Sequence, residues 1–135
     1  MIDALYSWGH LIGRILFAMI FIGSGIGHFT QRNAMVGYAR SRSAPWPTFS
    51  VPFTGLMSLV GGLTIALGWH RFIGAGLLVI FMLWTSYYIH HFWTDTDPMA
   101  RMNERVHFQK NLALAGGALL IAYYSGGYWP LSLGG

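Results

Sequence analysis

The chain has 135 residues, enough for one compact unit and too few for two independent domains. Hydrophobic residues make up 54% of it and charged residues only 9%, against about 25% charged in soluble domains, so most of its surface cannot face water. Its net charge of +4 comes from basic residues scattered through short loops, which excludes a nucleic-acid-binding stripe and suits contact with lipid head groups.

The first residues, Met1 to Trp8, hold Asp3 and no basic residue. With no small-residue cleavage pattern after the apolar run that follows, helix 1 is expected to remain and serve as its own insertion signal. That helix is predicted over about Leu11 to Phe29, interrupted only by Arg14. A second uncharged stretch runs over about Val51 to Trp69, and a third over about Phe72 to His91. A fourth runs over about Asn111 to Trp129, directly after Lys110. Each meets the length of about 20 apolar residues that a bilayer crossing requires. None carries the charged stripe of a soluble bundle helix. The expected architecture is all-α: an integral membrane four-helix bundle, antiparallel, in one domain spanning 1–135.

Only His70 and Arg71 or so separate the second and third helices, which forces a tight hairpin. The two longer connections, about Thr30 to Ser50 and Phe92 to Gln109, read as loops; Pro45, Pro47 and Pro52 suggest irregular extended chain in the first. Trp8, Trp69 and Trp129 mark one membrane face, and Trp46 and Trp93 the other, as an aromatic belt would. Paired glycines in every helix favour close backbone packing in lipid. Two short echoes, Gly27-His28-Phe29 against His90-His91-Phe92 and Leu59 to Leu63 against Leu114 to Ala118, hint at a parallel hairpin repeat. The longer connections carry Arg32, Arg40, Arg42, Arg101, Arg105 and Lys110, so the positive-inside rule puts them in the cytoplasm.

The polar residues at membrane depth are the candidates for function. Arg14 lies about one turn inside helix 1, where snorkelling to the head groups is the plainest account. His28 shares nearly the same helix face but lies roughly 21 Å further along, so the two cannot share one small site. His28 ends helix 1 and His90 and His91 end helix 3, placing all three at one membrane face. Tyr87 stands beside His90 at helical spacing. Imidazoles and a phenol in one layer would suit a quinone head group, although interfacial His and Tyr that merely cap helices are the stronger reading from the residues alone. Lys110 and Asn111 open helix 4 at the same face. There the lysine opposes the helix dipole, contacting lipid phosphate or an anionic ligand, and the asparagine is accounted for as a cap.

No cysteine is present, which removes disulfides, thiolate metal sites and dithiol relays. Electron handling would need a quinone, a haem, a metal on other ligands or a partner. Bis-histidine haem ligation by His28 and His90 or His91 is weakened by their position at helix ends. A divalent metal on His91, Asp95, Asp97 or His107 matches no firm spacing, and a solvated acidic loop explains those residues.

Three segments resemble the DoxX family of small four-helix bacterial membrane proteins. These are Gly13-Arg14-Ile15-Leu16 through Ser24-Gly25-Ile26-Gly27-His28, then His90-His91-Phe92-Trp93, then Lys110 to Gly117. The resemblance makes His90 the family histidine. It departs at His28, where the family usually has lysine, and at Ser58, where the second helix often has glutamate. It implies a bacterial cytoplasmic (inner) membrane protein allied to quinone-linked oxidoreductase complexes. By analogy, the candidate function is a quinone-interacting redox subunit with a protein partner or a second copy of itself. A non-catalytic adaptor that anchors a partner is the alternative, and a transporter is weaker because four short helices leave little room for alternating access.

Overall fold

A computed structural model describes residues 1–134. Its elements, in chain order, are α1 (Ile2–Thr30), α2 (Arg32–Ser41), α3 (Pro47–Leu67), α4 (Arg71–Tyr88), a 3₁₀ turn (Phe92–Thr94) and α5 (Pro98–Tyr123). The long helices alternate in direction. Pairs α1–α3 and α4–α5 pack most closely, and α3–α4 joins them into one bundle. One end holds the start of α1, the α3–α4 hairpin and the C-terminal tail, and is called the terminal rim. The other, the loop rim, holds α2, the 3₁₀ turn and the start of α5.

Three segments are long and apolar enough to cross a membrane: Ile2–Thr30, Pro47–Leu67 and Arg71–Thr94. Side chains such as Leu16, Met19, Leu56, Ile80 and Leu83 are exposed around their outer faces, as lipid contact requires. The expected fourth helix has different bounds. It begins at Pro98, because Asp97 accepts a hydrogen bond from the Ala100 N–H at 2.9 Å and Pro98 supplies a preset first helical φ. It stops at Tyr123, before Gly126, Gly127 and Pro130. Its apolar part from Asn111 is therefore about 13 residues, or ~20 Å.

The connection from Thr30 to Ser50 is also more ordered than its prolines suggest. It contains the amphipathic α2, whose Ala39 packs with Ala44 and Val51. Pro47 starts α3, and Pro52 lies inside it. Pro52 has no N–H to give the Thr48 carbonyl, and Arg32 Nη2 reaches that oxygen at 3.4 Å.

Glycine sets the interhelical spacing. A Cβ on Gly25 would lie 2.7 Å from Leu59 Cβ, and one on Gly55 would collide with His28. Ser58, fully buried where a carboxylate was looked for, donates to the Phe21 carbonyl at 2.8 Å and ties α3 to α1. The apolar core is Phe21, Ile65, Leu78, Phe81, Met82, Ala115 and Ala118. The echoed glycines are not equivalent in their contacts: Gly61 and Gly62 touch α4 and α1, whereas Gly116 meets nothing and Gly117 meets only Phe17.

Candidate functional site

At the loop rim, α1, α3, α4 and α5 enclose a cavity of about 420 Å³, roofed in part by α2. Phe21, Val51, Phe81, Met82, Trp84 and Leu114 make its apolar wall, and His28, His90, Lys110 and Asn111 bring polar groups to it. Four of the residues singled out from sequence thus share one cavity.

The cavity follows from the local chain. His28 is buried at the end of α1 because Gly55 lets α3 approach it closely. Its Nδ1 lies 2.7 Å from the Ser24 carbonyl. A carbonyl can only accept, so Nδ1 donates and, in the neutral ring, Nε2 is left as an acceptor. No described residue bonds that nitrogen, which is open to the cavity and not sealed in the core.

Asn111 is a buried bridge within α5 and not a helix cap. Thr85 Oγ1 gives its own proton to the Phe81 carbonyl at 2.9 Å and so accepts from Asn111 Nδ2 at 3.1 Å. That fixes the amide orientation and leaves Asn111 Oδ1 without a partner among the described residues. Lys110 likewise lies well inside α5, not in its first turn, so the helix dipole does not oppose it. Its Nζ is 3.4 Å from His107 Nδ1, at the exposed edge of the cavity.

His90 is held by a carboxylate. Its Nδ1 lies 2.6 Å from Glu104 Oε2, and the Tyr38 hydroxyl donates to Glu104 Oε1. The His107 ring stacks on His90 at 5.1 Å between centroids. Burial would raise the Glu104 pKa, but the hydrogen bonds from Tyr38 and His90 outweigh it and hold the carboxyl below its ordinary value. Burial and the same carboxylate push the Tyr38 phenol up to about 12. Glu104 and Tyr38 were not legible as site residues. The only signal was a lone carboxylate in a basic segment, three residues before His107.

Three expected residues lie elsewhere. Tyr87 is 64% exposed, packs on Tyr88 and Trp93, and faces away from the cavity. His91 belongs to a structural cluster: its Nε2 is 2.9 Å from the Arg42 carbonyl, and Arg42 pairs with Asp95 at 2.7 Å. The hydrogen bond to Arg42 holds the Asp95 carboxyl below the usual range, and its counterpart raises the Arg42 guanidinium. Among the described residues, no three His, Asp or Glu side chains converge as a metal-binding group.

Arg14 is at the opposite rim, and it is buried instead of snorkelling. It donates to the carbonyls of Ala66 at 2.9 Å, Pro130 at 2.7 Å and Leu131, and to His10 Nδ1 at 3.1 Å. These bonds pin the C-terminal tail across the α3–α4 hairpin, where Leu133 N–H also donates to the Leu67 carbonyl at 3.0 Å. Trp129, expected in the interfacial belt, is buried there under the Arg71 guanidinium, 4.7 Å from its ring.

Comparison with known proteins agrees with the architecture. The DoxX family profile matches residues 9–91, which take in α1 to α4 with Arg14, His28, Ser58 and His90. The chain is 31% identical over 112 residues to Inner membrane protein YphA of Escherichia coli (strain K12), covering 83% of this chain and 79% of that protein. It is 29% identical over 123 residues to Inner membrane protein YqjF of the same organism, covering 91% and 88%. No solved structure matches it. With three apolar spans in an all-helical bundle and a family match over most of its length, the chain is an integral membrane protein that belongs to the DoxX family.

Proposed function

We propose that the chain supplies a quinone site to a larger redox complex of the bacterial inner membrane, with the loop rim toward the cytoplasm. The observation that carries this reading is the loop-rim cavity. It is apolar and aromatic over most of its wall, yet His28, His90 and Asn111 turn polar atoms into it that no described residue satisfies. Polar atoms that open onto an apolar cavity keep hydrogen-bonding capacity at a depth where polar groups are costly, and a ligand with a ring and ring hydroxyls would use it while burying apolar area. The chain has no cysteine, so electrons leave or reach the ligand through a partner protein or a second copy.

Titration of the detergent-purified chain with decylubiquinol, kept reduced and followed by tryptophan fluorescence, tests the reading, because Trp84 lines the cavity and His28 Nε2 can bond only a ligand that donates. Saturable quenching should weaken at least about tenfold in His28→Leu, the scale of one lost buried polar contact. Absence of saturable binding would leave the adaptor reading. The exposed Arg32, Arg40, Arg101 and Arg105 on α2 and early α5 would then be the surface to test for a partner.

A further inference from the structure

The polar atoms that face the cavity are not a neutral mixture. His28 spends its only ring N–H of the neutral form on the Ser24 carbonyl. Thr85 spends its hydroxyl hydrogen on the Phe81 carbonyl, Thr54 spends its own on Ser50 at 2.6 Å, and Tyr38 gives its hydrogen to Glu104. His90 Nδ1 faces an ionised carboxylate, which can only accept, so that nitrogen keeps the proton. Its Nε2 has no partner among the described residues. In their neutral forms both imidazoles of the cavity are therefore set as acceptors. Asn111 can still act in either role, and Lys110, the one cation at the wall among the described residues, lies at the exposed edge beside His107.

An oxidised quinone brings only acceptors and can satisfy neither imidazole. A hydroquinone or phenol brings O–H donors. We propose that Glu104, anchored by Tyr38, is a positioning residue that locks His90 with its proton on Nδ1, so that the cavity selects ligands bringing a hydroxyl hydrogen over diones and ethers of the same shape. This rests on the ligand-site reading above and specifies its chemistry. The carboxylate fixes ring orientation and tautomer together, as a carboxylate behind an imidazole does at many sites. The groups facing His90 are Tyr38 from α2 and Glu104, His107 and Lys110 from α5. Among the described residues, only Glu104 bonds its side chain.

A redox-silent ligand pair isolates the effect. 4-Heptylphenol and 4-heptylanisole share ring and tail and differ by the methyl that replaces the hydroxyl hydrogen. Both can be titrated into the full chain in nanodiscs at pH 7, with affinities compared after correction for their partition into empty nanodiscs. The phenol should bind about tenfold tighter, the scale of one net hydrogen bond to a buried acceptor. In Glu104→Gln the amide can donate as well as accept, His90 is free to take the other tautomer, and the preference should fall below about threefold. Tyr38→Phe, which keeps the carboxylate and removes its anchor, should give an intermediate ratio and serves if Glu104→Gln does not fold. Equal binding of the two ligands by the wild type overturns the proposal and leaves the ligand site standing. An unchanged preference in the folded Glu104→Gln chain also overturns it, assigning Glu104 to structure alone. If neither ligand nor decylubiquinol binds, the ligand-site reading falls and this proposal falls with it.

Discussion

Arg14 at the terminal rim and His28, His90 and Asn111 at the loop rim all bring polar groups to membrane depth, with opposite results. At the terminal rim, Arg14 is donor-only and finds three backbone carbonyls and a histidine nitrogen. At the loop rim, His28, His90 and Asn111 are each bonded on one side and open on the other. A charge whose donors are used on the chain's own backbone holds structure together, whereas a half-satisfied polar group beside an apolar cavity leaves valence for a ligand. Depth in the membrane alone does not separate the two cases; the accounting of donors and acceptors does.

The largest expected effect breaks the terminal rim. Arg14→Met should strip the tail from the hairpin and cost about 3 kcal/mol, since hydrogen bonds from a charged donor are worth roughly 1.5–3 kcal/mol each and only some are recovered by water. Hydrogen exchange should rise over residues 124–134 while ligand affinity at the other rim stays within about twofold. A matching loss of affinity would show that the rims are not independent.

Next in size is Gly55→Ala. The added methyl would overlap His28 Cβ, so α1 and α3 must separate or the imidazole must shift out of the cavity. Overpacking of this kind costs about 1–3 kcal/mol. It should weaken ligand binding as His28→Leu does; unaltered affinity would mean that the position of His28 is unimportant.

The division between the rims was only partly legible in the sequence. The apolar runs announced α1, α3 and α4, and the His-Arg hairpin fixed their order, because membrane helices are encoded locally by length and composition. The start of α5 was not announced in that way. Asp97 and Pro98 form an ordinary capping signal, but the charged residues after them match a solvated loop equally well. Reading that stretch as a loop put Lys110 and Asn111 in a first turn when they lie mid-helix. The role of Arg14 was hidden because its partners are 52, 116 and 117 residues away and are backbone atoms. Glu104 was hidden because nothing local shows that α5 leans across His90 and Tyr38.

A smaller effect follows from pH. Glu104 titrates below its ordinary 4.5 in the folded chain, so its contribution to stability is complete above about pH 4.5. It is lost as pH falls through the lower folded value. At the water-facing rim the contribution should not exceed about 1 kcal/mol after screening. A thermal-midpoint scan from pH 7 to pH 3 should show the wild type losing more stability than Glu104→Gln; parallel curves would remove the carboxylate from the loop-rim network. The smallest expected effect is Tyr87→Ala. With its ring exposed to the surroundings and not to the cavity, affinity should change less than about twofold, within the range of surface substitutions. A larger loss would place the ligand on the outer face of α4.

The most direct test sets the two rims against each other in one assay. Decylubiquinol, kept reduced, is titrated into wild type, His28→Leu and Arg14→Met chains in nanodiscs under identical conditions. Saturable binding that falls at least about tenfold in His28→Leu and holds in Arg14→Met is the predicted result. Binding that survives His28→Leu, or that fails equally in both variants, would contradict a ligand site at the loop rim.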